Sequence, residues 1–136
     1  MLAFVCVVGC SSDNTAHKPS PGTLPAGTAE LSVNGGTPQV TNAVQCQSIE
    51  WMRTISTGDA DAGVTVMLSN AKKLVAEFVR FRNFDSFTGS YDRHLQGEAA
   101  VAMTGPTYRI TGTTVGFAGA KATERTTRPF ELRVSC

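Results

Sequence analysis

The sequence is short of charge and short of chemistry. Charged residues make up 17% of 136 residues, with a formal net charge of +1. That is below the usual quarter or so. No basic stripe of the kind that displaces counterions from nucleic acid is present, and none is expected to bind it. Lys72-Lys73 and Arg80/Arg82 read as short solvated clusters. There is no CxxC pair among Cys6, Cys10, Cys46 and Cys136, which excludes the familiar zinc spacings. No GxSxG, HExxH or GK[ST] motif occurs. "VNGG" does not open a helix, so it is not a phosphate loop. "TGDADAG" sets Asp59 and Asp61 two apart, as calcium loops do. It lacks the sixth-position glycine and the closing glutamate, and reads as a plain loop. Glu77, Asp85, Asp92 and Glu98 are scattered, and no acid/base pair can be nominated from them. Only two histidines occur: His17, in a polar stretch, and His94, which reads as a loop residue. Catalysis is therefore the weakest function class, and no cofactor or metal is expected.

A membrane-spanning run is also missing. "MLAFVCVVG" is continuously apolar but far short of the roughly 20 residues a bilayer needs. It has the size of the apolar region of a secretory signal. Val7, Val8 and Gly9 before Cys10 resemble the bacterial lipobox, in which an invariant cysteine follows a small residue. The resemblance implies a diacylglycerol on the Cys10 sulfur and cleavage after Gly9. The chemistry needs a thiol as nucleophile and a small side chain for the peptidase to close on. Two or three acyl chains anchor stably where one binds only marginally. The alternative is a frayed apolar terminus with an incidental cysteine. No Lys or Arg precedes Cys10. Since a signal normally starts with one, the expectation is that the reading frame begins further upstream.

What is present falls into three parts: residues 1–9 as the remnant of a signal peptide, 10–28 as a lipidated cysteine with a linker, and 29–136 as a folded domain. The linker "SSDNTAHKPSPGTLPAGT" is rich in Ser, Thr, Pro and Gly, with no apolar period. Such a composition cannot offset its ordering entropy and predicts a disordered tether. It would suit O-glycosylation. Cys46 and Cys136 remain in the body. An exported body favours a bridge between them, and two buried reduced thiols are the alternative.

The body predicts all-β structure: an antiparallel sandwich or an open barrel of short strands. "AELSV" precedes the turn "NGG". "PQVTNAVQC" puts Val40, Val44 and Cys46 on one face, and "VTVML" aligns Val64, Val66 and Leu68. Gly105-Pro106 joins two strands. "PFELRVSC" alternates most cleanly, with Phe130, Leu132, Val134 and Cys136 on the core face. In "TYRITGTTVGF" Tyr108 and Ile110 share a parity that Val115 and Phe117 do not, so a bulge or bend near Gly112 is expected. "NAKKLVAEFVRFRNF" fits an amphipathic helix capped by Ser69, but its β-branched and aromatic density favours a strand. Trp51, Tyr91, Tyr108 and the seven phenylalanines are expected to fill the core, an exposed aromatic cleft being the rival reading.

Several of these pieces together resemble the mycobacterial nineteen-kilodalton lipoprotein antigen family. They are the lipobox at Val7–Cys10, the tether, "VQC" at Val44–Cys46, "NFDSFTGSY" from Asn83, and "YRITGTTVGF" from Tyr108 leading to "FELRVSC". The resemblance covers most of Glu30 to Cys136. It departs at Val75–Asn83, where the family's counterpart is richer in glycine. It implies a secreted, membrane-anchored envelope protein on the extracytoplasmic face, at the cell surface or shed, with an intramolecular disulfide. It implies an acylated cysteine that Toll-like receptor 2 can bind, a glycosylated tether and adhesin behaviour. The expected function is binding and display through the envelope anchor, without catalysis. The alternative is a carrier or chaperone of an apolar envelope ligand held in a cavity of the β domain.

Overall fold

The structure, a computed structural model, describes residues 22–121 and 123–136. Cys6, Cys10, His17 and most of the linker lie outside the described residues. The rest forms ten strands: β1 (Thr28–Val33), β2 (Gln39–Thr41), β3 (Val44–Ile49), β4 (Met52–Gly58), β5 (Gly63–Ser69), β6 (Val75–Phe84), β7 (Phe87–Asp92), β8 (Glu98–Thr104), β9 (Thr107–Ala118) and β10 (Thr126–Ser135). One antiparallel sheet runs in the order β2-β1-β10-β9-β7-β6-β5-β4-β3, with β8 also paired to β9. It curls into a nearly closed barrel, so the open barrel rather than the sandwich is the architecture. The seam between β3 and the β1/β10 side is crossed by the Cys46–Cys136 disulfide, with Cα atoms 6.0 Å apart.

Period-two alternation explains most of the core. In β10 Phe130, Leu132 and Val134 are buried, and Val64, Val66 and Leu68 are buried on β5. Residues 75–84 form a strand, as the β-branched and aromatic density indicates. Ala76, Val79, Phe81 and Phe84 are its buried positions. The change of parity comes from an irregular register opposite Met67/Leu68 and another between Phe81 and Phe84. Phe81 sits at the centre of a ring cluster, with Phe84, Phe87 and Phe130 at centroid distances of 5.7, 6.1 and 5.6 Å. Burying each such ring contributes roughly 1.5–3 kcal/mol.

Four expectations fail. The "PQVTNAVQC" stretch is two strands rather than one, broken at Asn42-Ala43, and Val40 is 66% exposed. Near Gly112 there is no bulge: β9 pairs with β10 in unbroken register from Thr107 to Gly116. The core parity is kept by Tyr108, Ile110, Thr114 and Gly116, and the Thr114 hydroxyl donates to the Arg128 carbonyl at 3.2 Å. Val115 and Phe117 are half-buried on the outer face. What changes near Gly112 is the neighbour, because β8 pairs up to Thr113 and β7 takes over at Val115. Both exchanges need close backbones. A Cβ on Gly112 would lie 1.9 Å from the Glu98 carbonyl oxygen, and one on Gly116 would lie 2.1 Å from that of Thr88. Cys136 lies just past the end of β10 and is exposed, not on the core face. Trp51 is outside the core, at 55% exposure; Phe78 and Phe117 are only half-buried, and Phe4 lies outside the described residues.

Candidate functional site

The site of interest is the end of the barrel where the chain from the N-terminal side arrives. Gly22–Gly27 runs along the starts of β1 and β9 and the end of β10. The Leu24 N–H donates to Thr107 Oγ1 at 3.0 Å, and the Gly27 N–H donates to the Ser135 carbonyl at 2.8 Å. Beneath them the buried hydroxyls of Thr107 and Ser135 are 2.6 Å apart, one donating to the other. The disulfide follows one residue later. The two site cysteines named from sequence are thus brought together at this end, while Cys10 lies outside the described residues.

Beside this junction the barrel has an open mouth of about 530 Å³, lined by Trp51, Met52, Arg53, Leu74, Met103 and Tyr108 among others. Two hairpins build it. β3 and β4 close with Ile49 opposite Met52, and Glu50 adopts the left-handed backbone at φ 54°. β8 and β9 close around Gly105-Pro106, with Gly105 at φ 54° and Thr104 opposite Thr107. Arg53 is pinned in the wall. Its Nη1 donates to Tyr108 Oη at 2.9 Å, its Nε to Ser48 Oγ at 2.9 Å, and its guanidinium lies 5.8 Å from the Tyr108 ring centre. The Asn70 N–H donates to the Trp51 carbonyl at 2.9 Å, which ties the start of the β5–β6 loop to the β3–β4 turn; the exposed Lys72 and Lys73 lie further along that loop, in a neighbouring groove with Glu77 and Arg93. Met103 in the lining is 48% exposed, and Ile49, which pairs opposite the lining residue Met52, is 73% exposed.

Elsewhere several of the chemistry-bearing residues are occupied structurally. Asp59 Oδ1 accepts the N–H groups of Asp61 and Ala62, both at 2.9 Å. Those backbone donors, that of Ala62 foremost, hold its carboxyl below the ordinary range. Asp59 is therefore the anchor of a tight turn. Glu77 pairs with Arg93 at 2.9 Å, and Asp92 with Arg80 at 3.4 Å. His94 is exposed in a turn at φ 66°. Burial raises the Tyr91 hydroxyl, which donates to the Ala76 carbonyl at 3.2 Å. Among the described residues no three His, Cys, Asp or Glu side chains are grouped to hold a metal.

The mouth corresponds to the rival expectation of an exposed aromatic cleft, and its location is not visible in the sequence. The turn in "SIEWMR" is made by Glu50 and Trp51, neither of them a usual turn residue. Its tryptophan was expected inside on hydrophobicity alone.

The fold and this end define the class: a small disulfide-closed antiparallel β-barrel carried behind an N-terminal segment. The chain belongs to the Mycobacterium 19 kDa lipoprotein antigen family, which it matches over residues 22–136. It is 32% identical over 136 residues to a protein named as a lipoprotein in Mycobacterium avium subsp. hominissuis, covering 99% of this chain and 89% of that one. Identity to the lipoprotein LpqH of Mycobacterium avium is 30% over 112 residues, covering 82% of this chain and 69% of that protein. For the lipoprotein LppE of Mycobacterium tuberculosis it is 26% over 136 residues, covering 99% and 93%. The family places the chain among membrane-anchored lipoproteins of the envelope.

Proposed function

We propose that the protein is a lipid-anchored lipoprotein displayed on the extracytoplasmic face, acting by binding and presentation rather than by catalysis. In this reading residues 1–9 are removed, Cys10 carries the acyl chains, residues 11–28 form the linker, and residues 29–136 form the displayed domain. The observation that carries it is the family match beginning at Gly22, twelve residues after a lipobox cysteine. The acyl chains would fill the apolar groove of a host receptor such as Toll-like receptor 2, so the barrel need not take part in that recognition. Adhesin behaviour would be a property of the barrel surface. Labelling with an alkyne fatty acid tests the anchor. The wild type and Cys6→Ser are expected to incorporate it and Cys10→Ser is not. Equal labelling of Cys10→Ser would refute the assignment.

A second reading, a carrier of an apolar ligand, is favoured by one observation: the mouth lined by Trp51, Leu74, Met103 and Tyr108. Against it, the Phe81 ring cluster occupies the interior. Native mass spectrometry of the Cys10→Ser chain separates the two, a reproducible bound lipid favouring the carrier and a clean apo mass the display protein.

A further inference from the structure

We propose that the mouth end of the barrel is a docking face for an anionic lipid bilayer. Trp51, Ile49 and Met103 would sit at the interface, with Lys72 and Lys73 among the headgroups. The proposal rests on the reading of Cys10 as the anchor and says what the folded domain does once it is tethered.

Three observations converge on this one face. The first is where the chain leaves the domain. Leu24 and Gly27 are hydrogen-bonded to Thr107 and Ser135. Tyr108, the next residue of β9, lines the mouth. Eleven residues lie between Cys10 and Gly22, and at about 3.3–3.6 Å per residue the twelve steps span at most about 43 Å. An anchor at Cys10 therefore keeps this end within reach of the membrane. The second is the apolar rim. Trp51, Ile49 and Met103 are three of the five large apolar side chains that the described residues leave exposed. A tryptophan ring, apolar in body with one N–H, is suited to the headgroup level. The third is charge. Lys72 and Lys73 stand exposed between Asn70 and Leu74, both of which line the mouth. Arg53 is already bonded to Tyr108 and Ser48 within the wall. Glu50 is the acidic side chain in the lining; beside the two exposed lysines of the adjoining loop, Glu77 is paired with Arg93 at 2.9 Å, which leaves the lysine charge in excess. Apolar side chains ringed by lysine are the composition of an interfacial surface on anionic lipid.

Trp51 is the only tryptophan in the chain, so its emission reports on this face alone. The test uses the full chain with Cys6→Ser, coupled through Cys10 to a maleimide lipid. The vesicles contain phosphatidylcholine with phosphatidylglycerol, with and without brominated acyl chains. Coupling supplies the anchor chemically, so the result does not depend on whether cells acylate Cys10. Fatty-acid labelling tests that separately. The expected result is a blue-shifted Trp51 emission quenched by the brominated chains. Quenching should weaken when phosphatidylglycerol is omitted or salt is raised. Replacing Lys72 and Lys73 with serine should lower the ratio of docked to undocked protein about fivefold per lysine. These residues are on an exposed loop, so the variant is expected to melt like the parent. A Trp51 emission unchanged by coupling to anionic vesicles would overturn the proposal, as would quenching identical in the double-serine variant.

Discussion

The two ends of the barrel are built from the same residue types put to opposite uses. At one end, the β6–β7 hairpin and the middle of β10 turn Phe81, Phe84, Phe87 and Phe130 inward to make a closed ring cluster. At the other, the β3–β4 hairpin turns Trp51 outward, and Met103 and Tyr108 line an opening. The first end holds the fold together. The second is kept in shape by pinned polar contacts and the disulfide, with apolar side chains left over. The lesson is that aromatic content does not by itself fill a core. The strand position relative to the barrel's ends decides what a ring does.

The difference can be broken from its stable side first. Reducing the Cys46–Cys136 bridge or replacing both cysteines with serine frees a loop with a sequence separation of 90. Loop-closure entropy sets the cost at about 4–5 kcal/mol, read as a lower melting temperature or denaturation midpoint. Equal melting with and without reductant would contradict it. Phe81→Ala removes the central ring of the closed end and should cost about 3–5 kcal/mol, measured by urea denaturation. Gly116→Ala drives a methyl against the Thr88 carbonyl and the Gly89 backbone. About 1–3 kcal/mol is expected, the usual cost of overpacking. At the open end Trp51→Ser should change stability by less than about 0.5 kcal/mol, as for a surface site. A loss comparable to that of Phe81→Ala would erase the distinction between the ends.

The smallest effect concerns pH. The Asp59 carboxyl titrates below its ordinary value of 3.8 because the N–H groups of Ala62 and Asp61 bond its charged form. Its contribution is therefore present above pH 3.8 and lost as pH falls through the lower folded value. The β4–β5 turn should loosen only in that acid range, and Asp59→Asn should flatten the acid limb of a stability profile.

The regular strands were legible because alternation and burial coincide there. From Phe130 onward the alternating positions Phe130, Leu132 and Val134 are all apolar and buried, so the pattern carries its own evidence. β9 was misread because inward positions 114 and 116 hold threonine and glycine while outward 115 and 117 hold valine and phenylalanine. Thr114 is accommodated inside by its hydrogen bond to Arg128. Gly116 is required by the approach of β7. Neither reason is local, so no reading of that stretch by itself could supply it. Trp51 failed for a related reason: the sequence gives a strand's faces but not how far along the barrel axis a residue lies. The cysteine pair was legible because a body read as exported, with Cys46 and Cys136 as its two cysteines, has one way to pair them.

The anchor remains the central claim, and the mass of the native protein's N-terminal peptide tests it most directly. The predicted species begins at Cys10 and carries a diacylglycerol on its sulfur. A native protein that retains residues 1–9 with an unmodified Cys10 would contradict the account.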